Sequence, residues 1–253
     1  MTIATHASIL SLADLLAFAA PVQAADPGVG ADKIVFGQAA PLEGPASALG
    51  LGMRQGLLAA FAEANAKGGV KGRKLELNAK DDGYEPTRSI EAVKALLAEN
   101  AFALVGPVGT PTSMATFPIA AEQGVPFIGP FTGAEGLRHP YRPNVVNVRA
   151  SYFQETEEMV ERLTKDLKVE RIAILFQDDA FGRAGLAGVL KAMDKRGMKL
   201  VADAAFERNT TAVKQALLEI RRADPQAVIM VGPYKPMAEF IKLARRIKLD
   251  ATF

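Results

Sequence analysis

The stretch Arg171-Ile172-Ala173-Ile174-Leu175-Phe176-Gln177, followed by Asp178-Asp179-Ala180-Phe181-Gly182, decides the fold class. Within it, Ile172 to Phe176 is an unbroken apolar run, too short for an ordinary helix, so it reads as a strand buried on both faces. A turn of acidic and small residues comes next. Beyond Gly182 the apolar residues Leu186, Val189, Leu190 and Met193 return at helical spacing, up to about Arg196. Strand, tight turn, helix and then a further strand at 200–205 form the repeating unit of a parallel sheet covered by helices.

Outward from this unit, the same alternation fills the chain from Lys33 onward. Strands are predicted at 34–39, 75–81, 103–106, 126–129, 145–149, 171–177, 200–205 and 227–232. Between them, 46–66, 86–99, 112–123, 152–167, 182–196, 211–222 and 236–247 carry the helical period. The alternation runs once before about residue 145 and again from Arg171, which predicts two similar α/β lobes, each a doubly wound, mainly parallel sheet flanked by helices. The first lobe is expected over 33–150 and the second over 151–253. Tyr141-Arg142-Pro143-Asn144-Val145 reads as the crossover between them, because proline favours extended backbone before it. Asp250-Ala251-Thr252-Phe253 falls where the alternation calls for another strand, so a C-terminal return segment is expected to follow it.

Composition narrows the function. At 253 residues and 49% hydrophobic positions, the chain can bury a substantial core in each lobe. Lysine and arginine total 30 against 28 acidic residues with no long basic run, so a nucleic-acid partner is not expected. There is no cysteine, and the only histidines are His6 and His139. That removes thiol nucleophiles, disulfides, cysteine-rich zinc sites and most imidazole acid–base chemistry. Asp81-Asp82 and Asp178-Asp179 are paired acids, but neighbours in extended backbone point to opposite sides, so turn formation and helix capping are their expected work. Gly50-Leu51-Gly52-Met53-Arg54-Gln55-Gly56 has its last glycine one residue too late for a dinucleotide fingerprint. Neither a phosphate loop nor a nucleophile elbow occurs. No metal, cofactor or catalytic role is expected; a binding protein is.

Residues 1–24 read as a secretory signal, since an Ala- and Leu-rich stretch closes on Pro21-Val22-Gln23-Ala24-Ala25 ahead of a polar start. No later stretch reaches the roughly 18 uncharged apolar residues of a membrane span.

In open parallel sheets, ligands sit beyond the carboxyl ends of the strands, where helix N-termini and loop amides converge. Three glycine- and proline-rich turns stand there: Pro41-Leu42-Glu43-Gly44-Pro45, Gly106-Pro107-Val108-Gly109-Thr110-Pro111-Thr112-Ser113 and Gly129-Pro130-Phe131-Thr132-Gly133-Ala134. Such turns can hold an anionic group; equally, Thr110, Thr112 and Ser113 can simply cap their own helix. Phe131, Tyr152, Phe181 and Tyr234 stand at strand exits or the crossover and are candidate cleft walls.

Taken together, Ile34-Val35-Phe36-Gly37 leading to Pro41-Leu42-Glu43-Gly44-Pro45, the run Asn65-Ala66-Lys67-Gly68-Gly69-Val70-Lys71-Gly72-Arg73, and Ala121-Glu122-Gln123-Gly124-Val125-Pro126 resemble the leucine/isoleucine/valine-type periplasmic binding proteins. Asp179-Ala180-Phe181-Gly182 and Pro225-Gln226-Ala227-Val228-Ile229 continue the likeness. The resemblance implies a type I periplasmic binding fold: two lobes joined by three crossovers, a monomer that closes on a small molecule and delivers it to the membrane permease of an ABC importer. It implies that Thr110, beside Pro111, holds a ligand carboxylate, and that Phe181 and Tyr234 cover the ligand from the second lobe. Leu49 stands where the family usually has an aromatic residue, and Gly133 where it has a threonine that Thr132 replaces if the loop shifts by one residue. Both departures argue against a branched-chain aliphatic ligand; an amino acid or related organic acid is the expected class. The same fold also serves as the extracellular sensing domain of chemoreceptors, kinases and cyclases, which is the alternative function.

Overall fold

A computed structural model describes residues 26–253; the signal expected over 1–24 lies outside the described residues. The strands are β1 (Lys33–Ala40), β2 (Lys74–Asp81), β3 (Ala103–Val105), β4 (Phe127–Ile128), β5 (Val145–Val146), β6 (Ile172–Gln177), β7 (Ala202–Phe206) and β8 (Ala227–Val231). The α-helices are α1 (Ser47–Ala66), α2 (Pro86–Ala98), α3 (Thr110–Glu122), α4 (Tyr152–Glu161), α5 (Ala180–Asp194), α6 (Lys214–Arg222) and α7 (Tyr234–Arg246). Strands pair in parallel in two sheets, ordered β2-β1-β3-β4-β5 and β7-β6-β8, and Thr252 bridges to Ala227 at the open side of the second. This is the two-lobed α/β architecture that the alternation predicts.

The period of two along β6 sorts its side chains between layers. Ala173 and Leu175 face Phe206, Ile220 and Phe240, while Ile172, Ile174 and Phe176 face Val160, Val189 and Met193. All six residues of β6 are buried, as expected of a central strand with helices on both faces. In the first lobe, Leu104 and Phe127 pack under Leu96 of α2 and Phe117 of α3.

Local chemistry fixes the helix starts. Pro86 opens α2, where its missing N–H costs nothing. Ser151 and Gln154 form a reciprocal capping box on α4. Asp179 accepts from the amides of Phe181 and Gly182 at 2.9 and 3.3 Å and so caps α5. Gly182 permits the tight entry into that helix, because a Cβ there would lie 1.9 Å from the Gln177 carbonyl oxygen.

Among the boundaries that differ from the sequence expectation, three bear on the cleft. Helix α3 begins at Thr110 instead of 112, with Pro111 in its first turn. The helix expected over 152–167 is α-helical to Glu161 and continues as a π turn over Arg162–Asp166, where the Thr164 hydroxyl donates to the Val160 carbonyl at 2.8 Å. Strand β5 stops at Val146 because the following residues are drawn elsewhere: Asn147 donates to the Leu137 carbonyl at 3.0 Å, and Arg138 donates to the Arg149 carbonyl at 2.8 Å.

Candidate functional site

The carboxyl ends of both sheets face one another across a cavity of about 260 Å³. Leu49, Tyr84, Val108, Gly109 and Phe131 form its first-lobe wall. Arg149 comes from the crossover, and Tyr152, Glu155, Met159, Phe181, Val231 and Tyr234 complete the opposite side.

Hydrogen bonds close the lobes on both flanks of this cavity. On one flank the Tyr234 hydroxyl donates to the Pro45 carbonyl at 2.9 Å and accepts from the Ala48 amide at 3.3 Å. On the other, Arg208 donates to Glu85 at 2.7 Å, and Asn209 donates to Glu85 at 2.6 Å and to the Gly83 carbonyl at 3.1 Å. Arg208 also reaches Asp179 at 3.4 Å.

The first-lobe wall is built by backbone geometry. Gly109, the residue before α3, has φ of 103°, which glycine alone adopts without strain, and a Cβ there would lie 2.3 Å from the Tyr84 ring. Tyr84 itself sits at φ of 62° and is 2% exposed, held by its amide donating to Asp82 at 2.9 Å. Burial, with the nearby Asp179 and Tyr152, pushes the Tyr84 phenol well above its usual range, so it stays protonated. Burial likewise raises Asp82 to about 6, against the opposing pull of the Tyr84 amide and the Ser89 hydroxyl. For Asp81 burial is outweighed: amides of Leu42, Glu43 and Gly83, together with Arg88, hold its carboxyl below the usual range. The paired acids thus tie down loops, and among the described residues no cluster of three or more metal-binding side chains occurs.

The residues singled out in the sequence fall into two layers. Phe131, Tyr152, Phe181 and Tyr234 line the cavity, with the Tyr152 and Phe181 rings 5.5 Å apart. Thr110, Pro111, Thr132 and Gly133 lie one layer back. There the Thr110 and Thr132 hydroxyls are 2.6 Å apart, and the Tyr152 hydroxyl is 3.3 Å from the first and 3.4 Å from the second. Gly133 leaves room for Tyr152, whose ring a Cβ would meet at 2.5 Å. The hydroxyls at the start of α3 do not cap it: Thr112 donates back to the Val108 and Gly109 carbonyls, and the buried Ser113 hydroxyl has no partner among the described residues.

Arg149 and Glu155 were not singled out by the sequence. Their side chains form an ion pair at the cavity wall, and the Arg149 guanidinium lies 5.3 Å from the Phe131 ring centre and 5.7 Å from that of Tyr152. The available signal was the spacing itself, an arginine closing the crossover and a glutamate in the first turn of α4.

This fold and interlobe cleft define a two-lobed solute-binding architecture. A family model described as periplasmic binding protein matches residues 33–253, and the chain belongs to that family. Among curated proteins it is similar to the Leu/Ile/Val-binding protein BraC3 of Rhizobium johnstonii, 31% identical over 211 residues, covering 80% of this chain and 55% of that one. It is also similar to Leu/Ile/Val-binding protein homolog 7 of Brucella suis, at 27% identity, covering 94% and 60%. A solved structure of a possible leucine/isoleucine/valine-binding protein from Rhodopirellula baltica superposes with a TM-score of 0.83 at 37% identity, covering 90% of this chain and 63% of that one. The chain thus spans 55% and 60% of the two curated relatives' lengths. No helix among the described residues is long and apolar enough to cross a membrane.

Proposed function

We propose that this chain is the solute-capturing part of an ABC importer, acting as a monomer in the periplasm and delivering its ligand to the membrane permease. The lobes, residues 33–150 and 151–253, close over a small carboxylate-bearing molecule, an amino acid or related organic acid. The observation that carries this reading is the cavity sealed on two flanks by Tyr234 with Pro45 and by Arg208 and Asn209 with Glu85 and Gly83. These contacts exist only in a closed arrangement, so a guest that fills the cavity shifts the population toward it. The volume, about 260 Å³, lies below the ~300–1,000 Å³ of pockets for drug-sized ligands, so the guest is small. Similarity to proteins named for leucine, isoleucine and valine binding supports the amino-acid-like class.

No chemical step belongs to this reading. The acids at the strand ends are engaged in holding loops: Asp81 with Leu42 and Glu43, Asp82 with Tyr84 and Ser89, Asp179 with Phe181. Thr110 and Thr132 serve the site by fixing the Tyr152 hydroxyl, and therefore the ring that forms the wall.

A thermal-shift and calorimetric screen of amino acids and small aliphatic or aromatic carboxylates tests the proposal. A true ligand at about 100 times its Kd raises stability by roughly 2.7 kcal/mol. It should also compact the protein in small-angle scattering. Absence of binding by every compound at millimolar concentration would refute solute capture.

A further inference from the structure

Most of the cavity's polar groups are already spent. The Thr156 hydroxyl donates to the Tyr152 carbonyl at 2.8 Å, the Tyr152 hydroxyl lies 3.3 Å from that of Thr110, and Tyr234 is occupied across the lobes. Arg149 is different. Of its five N–H groups, only Nη2 has a hydrogen-bond partner among the described residues, the Glu155 carboxylate. The Phe131 and Tyr152 ring centres lie 5.3 and 5.7 Å from its guanidinium carbon, and Arg149 lines the cavity with its remaining donors unengaged by described residues. A guanidinium edge fits a carboxylate in bidentate fashion, and the aromatic rings beside it shield part of that contact from solvent.

Resting on the solute-capture reading above, we infer that Arg149 is the specificity-determining anion contact of the cleft, selecting a carboxylate whose compact apolar or aromatic body lies against Phe131, Tyr152 and Phe181. Glu155 neutralises Arg149 while the cleft is empty and competes with the incoming acid for its donors. The ligand's carboxylate takes up the free N–H groups and its body meets the rings.

The test compares 4-methylpentanoate and benzoate with their amides and with leucine, on the wild-type full chain and on R149Q and E155Q. The acids are expected to bind wild type at least about tenfold more tightly than the amides, the scale of a lost charged hydrogen bond. R149Q should erase that preference, bringing acid and amide affinities to within about threefold of each other. E155Q, which replaces the competing carboxylate by a neutral amide and keeps Arg149 in place, should tighten acid binding by about threefold or more. Equal binding of acids and amides to the wild type would overturn the role of Arg149 but leave solute capture standing. Leucine binding about tenfold more tightly than 4-methylpentanoate, with E155Q abolishing that gap, would show Glu155 holding an ammonium group and overturn its role as a competitor for Arg149. If no probe binds, solute capture falls with it. The acid–amide comparison needs no variant, so a poorly folding substitution does not blunt the test.

Discussion

Tyr234 donates its phenolic proton to the carbonyl of Pro45, 189 positions away in the chain and on the other lobe, at 2.9 Å. The same oxygen accepts from the Ala48 amide, so one hydroxyl ties the first turn of α7 to the first turn of α1. Tyr234→Phe keeps the ring on the cavity wall and removes only this tie. Ligand affinity should fall by roughly 0.5–1.5 kcal/mol, about two- to tenfold, with the loss appearing as faster dissociation in stopped-flow fluorescence. Unchanged dissociation would mean that the contact does not contribute to closure.

Arg208 and Asn209 hold the opposite flank against Glu85. Arg208→Gln should raise the dissociation rate about three- to tenfold and reduce the effect of salt on it, since a partly screened ion pair is replaced by a neutral contact. Association should change little. A salt response equal to that of wild type would count against the pair as a latch.

Asp82 gives a pH signature. Its folded pKa of about 6 lies above the ordinary 3.8, so between those values the folded protein keeps a proton that the unfolded chain releases. The associated stability is full below about pH 4 and lost as pH rises through 6. Asp82→Asn should flatten that dependence by up to about 3 kcal/mol in denaturant melts, because an amide can still accept from Tyr84 and meet Ser89. Asp81 runs the other way: its lowered pKa gives stability that is lost as pH falls through the folded value, and it persists in the variant. Parallel pH curves for variant and wild type would exclude Asp82 as the source.

Gly109→Ala combines a strained φ of 103° with a Cβ 2.3 Å from the Tyr84 ring and 2.8 Å from the Thr112 hydroxyl. It should lower stability by more than about 1 kcal/mol, seen as a lower Tm, and weaken binding because Tyr84 must shift into the cavity. A variant with wild-type Tm would show that the turn relaxes freely.

The local pattern was enough to determine the strand–helix alternation. The buried run Ile172–Gln177, the cap at Asp179 and the glycine at 182 each act within a few residues, and hydrophobic period alone sorts strand from helix. The aromatic walls were legible for the same reason, as Phe131, Tyr152, Phe181 and Tyr234 stand at strand exits or at the crossover. The depth of each side chain was not. Thr110 looks like a rim hydroxyl in the sequence, yet it is 2% exposed behind Tyr152, because Thr132 and Tyr152 arrive from 22 and 42 residues away to consume it. The Tyr234–Pro45 tie and the Arg208–Glu85 latch likewise depend on how the two sheets face each other. Closure brings distant side chains within hydrogen-bonding range, and no periodicity along the chain encodes that distance.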